Sequence, residues 1–340
     1  MFDFYPNANN FVTKNKFLTD QAANYYSSSK IGVLLNKKML SPSDCGSFGE
    51  SKTEAVKKGF SESIDRRSML AINLEKKKVD AIDLFQGKSV QIDTNNFYFS
   101  PAGQVDTSGS AVHTSGASAA KDALLELIEK NATLLFWYGK RGYQIKDKYF
   151  DELISSIVRG SYKFNVYVAD FFSPIYVVYV VLYENQKPII VGTGSGCSIL
   201  NAAKKAANEA LFLNFTEKNN SIFLSLSGQK NDVYTERKVL SLASERTSEY
   251  LNSYVQKLLT FDELYELNFD TIKKALARIT TRVYLHVQKN CTERLISIKI
   301  FSPDLINYVP FKMNLKFDRR IFGILNKNIN LKKIPELPIM

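Results

Sequence analysis

Two glutamates on one predicted helix are the residues whose types and spacing first suggest chemistry. Glu126 and Glu129 lie three positions apart within residues 107–140, and Lys130 follows directly. Side chains three apart leave a helix on the same face, so a carboxylate pair below a Ser/Gly/Thr-rich loop suits a metal–phosphate group. A solvated Glu–x–x–Glu on an amphipathic helix has the same pattern. From this stretch alone, the solvated interpretation is favoured.

The helix that must carry these glutamates follows a run of small residues, TSGSAVHTSGAS. Apolar residues then recur at helical spacing at Ala119, Ala123 and Leu127. Ser118 is the predicted N-cap, because its short polar side chain can accept from the first free amides of a helix.

Two further stretches repeat this arrangement of a small-residue loop before an acidic helix. The loop at residues 42–53 precedes a helix predicted over about residues 54–74, with Glu62 and Asp65 three apart and Arg66 next to them. GTGSGCS at residues 192–198 is predicted as a loop that opens a helix over residues 201–215. Three helix N-termini with clustered carboxylates suit a polyphosphate with Mg²⁺.

The third helix carries a charged pair one turn apart, Lys205 and Glu209. The plain interpretation of this pair is an i,i+4 ion pair, which is worth a few tenths of a kcal/mol. GTGSG alone is a weak phosphate-loop signal, because it lacks the Lys-Ser/Thr ending of a P-loop.

Both strands and helices are predicted along the chain. The predicted strands are at residues 31–35, 79–99, 162–169, 175–183 and 189–191, with a hairpin at 283–287 and 295–300. Residues 230–280 are predicted to be helical, and the tail KKIPELPIM is predicted to be extended because Pro335 and Pro338 disfavour helix.

Composition and charge narrow the function classes. The chain has 45 Lys and Arg against 34 Asp and Glu, a formal charge of +11, which favours an anionic partner such as a nucleotide, an acidic peptide or a protein. Nucleic acid is disfavoured because no nucleic-acid-binding motif accompanies the charge. Three cysteines form neither a disulfide framework nor a zinc motif, and no signal peptide or membrane span is evident. These features predict a cytoplasmic protein.

Taken in order, the three units resemble the YcaO family, whose ATP-dependent members activate backbone amides. The family's Glu-x-x-Glu-Arg motif is matched by Glu62-Ser-Ile-Asp65-Arg66. Its central motif aligns without gaps on residues 107–119 and then on Glu126, Glu129 and Lys130.

The rest of the chain extends this resemblance. The third motif is similar to residues 194–209, with Lys205 in the Arg position, and KKIPELPIM resembles the family's Pro-rich tail. His113 and the pair Phe136-Trp137 make the chain most similar to the cyclodehydratase component of microcin-type, thiazole- and oxazole-forming peptide synthetases. The likeness runs from about residue 45 to the end, so residues 1–44 are predicted to be an N-terminal extension and residues 45–340 a YcaO-like domain.

Several positions depart from the family pattern. Ser118 stands where the family has a metal-binding Glu, and Ala111 and Thr114 stand where it has a nucleotide-contacting Ser and Asn. Lysine replaces arginine twice, at Lys130 and Lys205, which keeps the charge but loses bidentate geometry. Asp122 lies one turn from Ser118 and is a candidate for the missing carboxylate.

The resemblance implies a reaction, two cofactors and a set of site residues. A Cys, Ser or Thr side chain of a ribosomal precursor peptide attacks the preceding amide, ATP phosphorylates the amide oxygen, and an azoline results. The implied fold is α+β, with mixed or antiparallel sheets and with helices packed around a central nucleotide-binding cleft. The implied cofactors are ATP and Mg²⁺. The implied Mg²⁺ ligands are Glu62, Asp65, Glu126 and Glu129. The implied nucleotide-site residues are these four together with Arg66, Thr114, Lys130, Lys205 and Glu209, and the tail prolines Pro335 and Pro338 have an implied catalytic role near the substrate.

The resemblance also implies partners. The short N-terminus leaves no room for a leader-binding domain, so a separate leader-binding protein is expected, with a flavin-dependent dehydrogenase in the same complex. Two alternatives remain open: a non-catalytic YcaO-like scaffold, suggested by Ser118 and the two lysines, and a YcaO enzyme that forms a thioamide or a macrocyclic amidine.

Overall fold

The structure is a computed structural model, and it divides the chain into two compact units. The described residues are 10–14, 25–30, 35–36, 39–40, 44–70, 77–99, 105–158, 162–227, 245–258, 265–290, 292, 294–316, 318–325 and 329–337. The first unit comprises Met1–Lys14, Ala23–Lys130 and Asn268–Val309, and the second comprises Asn15–Ala22, Asn131–Leu267 and Pro310–Met340.

Strands and helices are both abundant among the described residues. The strands are β1 Asn10–Lys14, β2 Tyr25–Lys30, β3 Leu35–Asn36, β4 Met39–Leu40, β5 Asp44–Gly49, β6 Lys78–Asp83, β7 Lys88–Asp93, β8 Ser110–His113, β9 Tyr143–Ile145, β10 Lys163–Ala169, β11 Tyr176–Glu184, β12 Lys187–Gly196, β13 Gln256–Lys257, β14 Tyr284–Gln288 and β15 Ile296–Phe301. The α-helices are α1 Lys52–Ser68, α2 Gly116–Trp137, α3 Lys148–Val158, α4 Ile199–Ser227, α5 Glu245–Asn252, α6 Phe269–Leu276, α7 Lys312–Leu315 and α8 Arg320–Leu325, with 3₁₀ turns at Thr94–Asn96 and Leu331–Lys333.

The first unit is organised around a five-stranded antiparallel sheet in the order β7-β6-β14-β15-β8. Exposed and buried residues alternate strictly along β6, as expected for a strand with one face toward the core. A second sheet, β1-β2-β5, packs against helix α1. Helix α1 also contacts β8 and β15, and this packing positions the polar cluster described below.

The second unit is built on the sheet β12-β11-β10-β9-β13, which is antiparallel except for the β13–β9 pair. Valines and other apolar residues of β10, β11 and β12 form its core together with the alanines of α4. The strand predicted at residues 175–183 lies here as β11. Helix α4 packs directly along β12.

The prediction of an α+β fold with antiparallel and mixed sheets is confirmed, but four local predictions were wrong. Among the described residues of 230–280, only α5 and α6 are helical, and β13 is a strand paired with β9. GTGSG is the last part of strand β12 and not a loop, because β12 stays paired with β11 as far as Gly196. Helix α2 begins at Gly116, so Ser115 takes the cap position, and its Oγ accepts from the Ser118 amide at 3.4 Å. Helix α1 ends at Ser68, and residues 71–76 lie outside the described part of the chain.

Candidate functional site

Helix α1 presents the first acidic motif. Ser51 caps the helix by accepting from the Glu54 amide, which fixes where its turns begin. Both carboxylate oxygens of Glu62 bond within the first unit: Oε2 accepts from the Gly46 amide at 2.9 Å, and Oε1 accepts from Arg66 Nη2 at 2.7 Å. Glu62 therefore orients Arg66, and their roles toward a nucleotide stay predictions.

A tight turn before strand β8, residues 107–110, is the centre of the polar cluster; we call it the serine–glycine turn. The Ser110 amide donates to the Thr107 carbonyl at 3.1 Å, and Gly109 has φ +77°. A positive φ at the third turn residue is what a type II turn requires, and glycine adopts it without a steric penalty. The turn thus depends on Gly109.

Asp65 of α1 meets this turn through Ser110. Its Oδ2 lies 2.8 Å from Ser110 Oγ, which also lies 2.5 Å from the Thr107 carbonyl. Burial raises the pKa of Asp65 to about 6, against the lowering effect of the Ser110 hydrogen bond and of Lys299. The Ser110 hydroxyl therefore lies between the Asp65 carboxylate and the Thr107 carbonyl.

Glu126 of α2 binds the same turn through backbone amides. Its Oε2 accepts from the Gly109 amide at 3.0 Å and from the Ser110 amide at 3.2 Å. Burial raises the pKa of Glu126 to about 8, with the charge of Lys130 opposing and that of Asp65 adding to the increase. Asp65 and Glu126 therefore form one electrostatically linked carboxylate pair around Ser110.

Sequence reasoning missed Lys299, a fully buried lysine in β15. Its Nζ donates to the carbonyls of Asp106, at 2.7 Å, and of Ser108. Burial lowers the pKa of Lys299, while the carboxylates of Asp106, Glu126 and Asp65 oppose this effect. The alternating pattern of ISIKIF carried no signal of this burial, because lysine is almost never fully buried unless it is paired.

The carboxylate pair fits Mg²⁺ that arrives with a nucleotide. Asp65 Oδ1 is a buried oxygen without a hydrogen-bond partner among the described residues, and such an oxygen is a vacant hard ligand. Within the described ranges, no group of three or more His, Cys, Asp and Glu side chains is arranged to hold a metal ion. Mg²⁺ commonly uses one or two carboxylates and takes its other ligands from water and substrate phosphates. Asp65 and Glu126 are the residues that would hold it.

The other predicted residues of the first unit lie close to this cluster in sequence. Glu129 and Lys130 follow Glu126 on α2 and are half-buried, and both act electrostatically on Glu126. Thr114 is exposed after β8, where its hydroxyl lies 3.3 Å from His113 Nδ1. Asp122 is exposed on α2, so its proposed role as a replacement carboxylate stays a prediction.

In the second unit, Lys205 and Glu209 of α4 both bond to strand β12. Lys205 Nζ donates to the Ser195 carbonyl at 3.0 Å. Glu209 Oε2 accepts from Thr193 Oγ1 at 2.8 Å and from the Thr193 amide. These contacts fix the side chains against the GTGSG part of the strand, and the roles of Lys205 and Glu209 toward phosphate stay predictions.

The C-terminal segment of the second unit is held in place by its backbone and by two side chains. Trp137 Nε1 donates to the Pro335 carbonyl at 3.0 Å, and Lys312 donates from its amide to Glu336 Oε1 at 3.0 Å. Leu337 is buried at 2 % exposure. Pro335 is thereby fixed, whereas Pro338 lies outside the described residues, and a catalytic role for either proline stays a prediction.

We expect Leu337→Ala to release this segment from the second unit. Truncating a buried leucine typically costs about 2–5 kcal/mol, more than the single hydrogen bond from Trp137 contributes. Trp137 is the one tryptophan of the chain, so release is read directly as a red shift of its fluorescence. Lys333→Ala is the control, because that side chain is exposed and the backbone contacts remain. An unshifted spectrum would contradict the anchoring role of Leu337.

Without metal or nucleotide, the carboxylate pair should make the protein less stable as the pH rises. The pKa of Asp65 is raised from 3.8 to about 6 on folding, so the folded state binds the proton more tightly than the unfolded state. The stabilisation is fully present below pH 4 and is lost as the pH rises through about 6, on the order of 3 kcal/mol for this group. Glu126 extends the loss towards pH 8.

Urea denaturation from pH 5 to pH 8 in EDTA measures this dependence. Asp65→Asn should flatten the decline between pH 5 and pH 7, because the amide cannot ionise. Glu152→Gln, at an exposed position of α3, should leave the profile of the wild type unchanged. A decline that is equally steep in Asp65→Asn and the wild type would show that Asp65 is not the titrating group.

Solved structures with the same fold include several from one class of proteins. The structure of YcaO from Methanopyrus kandleri bound with AMPPCP and Mg²⁺ matches with a TM-score of 0.64 and 12% identity, over 88% of this chain and 86% of that one. The E. coli microcin synthetase McbBCD complex matches with a TM-score of 0.69 and 13% identity, over 88% of each chain. A heterocyclase in complex with substrate and cofactor matches with a TM-score of 0.65 and 13% identity, over 94% of this chain and 54% of that one.

A family model identifies the class from the sequence itself. The model described as YcaO cyclodehydratase, ATP- and Mg²⁺-binding, matches residues 14–287, most of the 340 residues. The chain therefore belongs to the YcaO family, and the prediction of ATP and Mg²⁺ as its cofactors is confirmed at the level of the family. No curated protein matches the sequence. Within the part of the chain that the structure describes, no helix has the length and apolar composition to cross a bilayer.

Proposed function

We propose that this protein is the ATP- and Mg²⁺-dependent cyclodehydratase subunit of a peptide-modifying complex. It would convert Cys, Ser or Thr of a ribosomal precursor peptide to azolines. The observation that carries the proposal is the meeting of Asp65 and Glu126 at Ser110, where a buried carboxylate oxygen has no partner among the described residues. The chain's membership of an ATP- and Mg²⁺-binding cyclodehydratase family supplies the reaction class.

The proposed roles follow from the chemistry of each side chain. Asp65 and Glu126 would bind Mg²⁺, and Glu62 would assist by holding Arg66. Lys130 and Lys205 would place positive charge toward phosphate, and Glu209 would fix α4 against β12. Bound ATP would supply the phosphoryl group that converts the amide oxygen to a phosphate leaving group, and bound Mg²⁺ would neutralise part of the negative charge that develops.

The raised pKa values of Asp65 and Glu126 suit a site that loses protons when it binds a metal ion. Carboxylates must be deprotonated to bind a cation, so metal binding at Asp65 and Glu126 should release protons near neutral pH. The free protein then avoids two unpaired negative charges in a buried cluster. Thr114, Glu129 and the tail residues Pro335 and Pro338 complete the proposed site by resemblance alone.

We propose three partners in the same complex. One structural neighbour is a microcin synthetase complex, solved also with pro-MccB17 bound, and another is a heterocyclase with substrate and cofactor. These neighbours support a peptide substrate and partner proteins. In the proposal one partner is a separate leader-binding protein, and a flavin-dependent dehydrogenase would oxidise the azolines. The formal charge of +11 favours an acidic leader or partner, and their complex should weaken as salt increases.

The test follows the oxygen of the peptide. The purified protein is combined with a candidate leader-binding protein and a candidate precursor peptide taken from neighbouring genes, and the precursor amide carries a heavy-oxygen label. A cyclodehydratase releases labelled phosphate and a peptide that has lost one water per heterocycle. ATP hydrolysis that yields only unlabelled phosphate would contradict the proposal.

A non-catalytic scaffold is the second candidate, and one observation favours it. Ser118 stands where the family has a metal-binding Glu, and a serine hydroxyl supplies no carboxylate to a cation. A scaffold would bind its partners and precursor normally, yet release no phosphate. The labelled-oxygen experiment therefore separates the two candidates.

A further inference from the structure

Strand register places Lys299 beside the serine–glycine turn. In the antiparallel β15–β8 pair, Lys299 lies directly opposite Ser110. Opposed residues of two paired strands project from the same face of a sheet. Lys299 and Ser110 therefore lie on the same face of the sheet, the face that packs against helix α1. Asp65 belongs to that helix.

Lys299 binds the turn through carbonyl oxygens. Its Nζ donates to the carbonyls of Asp106 and Ser108. The Asp106 carboxylate is itself fixed, since Oδ1 accepts from the Ser108 amide and Oδ2 from the Val309 amide, each at 2.7 Å. The ammonium is thus held in place on the backbone that leads into the turn.

Lys299 and Glu126 hold opposite ends of one peptide group. The Ser108 carbonyl accepts from Lys299, and the Gly109 amide of the same peptide donates to Glu126. In a trans peptide the C=O and N–H point in opposite directions, so each contact fixes the orientation that the other requires. A turn without glycine would favour the flipped peptide of type I, which would turn the amide away from Glu126.

The charges around the ammonium favour the same arrangement. Three carboxylates act on Lys299, those of Asp106, Glu126 and Asp65. A buried positive charge lowers the free energy of the ionised carboxylates, which is the form that binds a metal. The ammonium therefore adds an electrostatic attraction to the hydrogen bonds that orient Glu126.

We propose that Lys299 is a positioning residue of the Mg²⁺–ATP site: it fixes the Ser108–Gly109 peptide and, through it, the carboxylate of Glu126. The inference rests on the proposed function of this cluster as the nucleotide site. Lys299 itself contacts backbone carbonyls and is assigned no contact with phosphate. Its removal should weaken binding of the loaded nucleotide more than it slows turnover at saturation.

The experiment compares K299M with the wild type in three measurements. Calorimetric binding of Mg²⁺–AMPPCP should weaken about tenfold, as is typical when a group that orients a metal ligand is removed. KM for Mg²⁺–ATP should rise by a similar factor, with a smaller change in kcat. Hydrogen exchange of the Gly109 and Ser110 amides, which donate to Glu126, should become faster. K78M, at an exposed lysine of strand β6, should match the wild type in all three.

K299Q keeps an N–H donor but removes the charge, and it is the second variant if K299M does not fold. It should weaken Mg²⁺–AMPPCP binding less than K299M, but still at least about threefold. If a folded K299M bound Mg²⁺–AMPPCP as tightly as the wild type and protected the two amides equally well, the role of Lys299 would be overturned and the proposed function would stand. K299Q provides the same test if K299M does not fold. Failure of the wild-type complex to bind Mg²⁺–AMPPCP would overturn the proposed function, and with it this role.

Discussion

Replacing Glu126 by glutamine is expected to reduce ATP-dependent turnover about 100-fold while the protein remains folded. Glu126 is one of the two carboxylates that the serine–glycine turn brings together, and its Oε2 accepts from two turn amides. The glutamine oxygen can keep an amide contact, but the neutral side chain cannot neutralise a cation. Loss of a metal ligand or of its orientation commonly costs about 10–100-fold or more. Phosphate release with the precursor peptide present measures the effect.

The folded state of this variant is testable in advance. Because the folded protein already favours a proton on Glu126, its neutral isostere should melt at or above the wild-type temperature at pH 8. The control is Glu152→Gln, which removes an exposed glutamate of α3 and should retain full turnover. A stable Glu126→Gln protein with normal turnover would exclude Glu126 from the site. If the protein is a scaffold, neither the wild type nor Glu126→Gln should show turnover.

Local spacing predicted which acidic residues share a helix face, but not what that face meets. It places Glu126 on one face with Glu129, and Glu62 on one face with Asp65. That the two helices meet at Ser110 is a tertiary fact. The family resemblance indicated it, since spacing within one helix carries no information about another.

Lys299 shows what local patterns leave out. Its carbonyl partner Ser108 is 191 positions away in the chain, and their contact depends on the register of β15 against β8. A shift of one residue in that register would turn the lysine to the opposite face. The sequence shows only a lysine between isoleucines, ISIKIF, and a strand with one exposed face would have the same pattern.

The GTGSG segment was misread because glycine serves two purposes. Glycine is frequent in loops because it tolerates unusual backbone angles, but it also occurs in strands where another backbone approaches closely. Here the second reason applies: β12 remains paired with β11 throughout the segment, and α4 contributes five fully buried alanines to its packing. These alanines are Ala202, Ala203, Ala206, Ala207 and Ala210.

Alanine at Gly192 or Gly194 should therefore destabilise the second unit strongly, by about 3 kcal/mol or more. A Cβ at Gly192 would collide with the Ala206 carbonyl and the Ala210 amide of α4. A Cβ at Gly194 would lie 2.8 Å from the Ala206 amide. Backbone atoms cannot move aside as a side chain can, so the helix must shift from the strand. Urea denaturation measures the loss in the free energy of unfolding.

Gly196→Ala is the matched control within the same strand. The nearest atoms to a Cβ there are the Ser198 amide and carbonyl, 4.0 Å away, so its stability should stay within about 1 kcal/mol of the wild type. A displaced α4 would also carry Lys205 and Glu209 away from Ser195 and Thr193. If Gly194→Ala were as stable as Gly196→Ala, helix α4 would not pack this closely, and the glycines would need a different explanation, such as direct contact with a phosphate group.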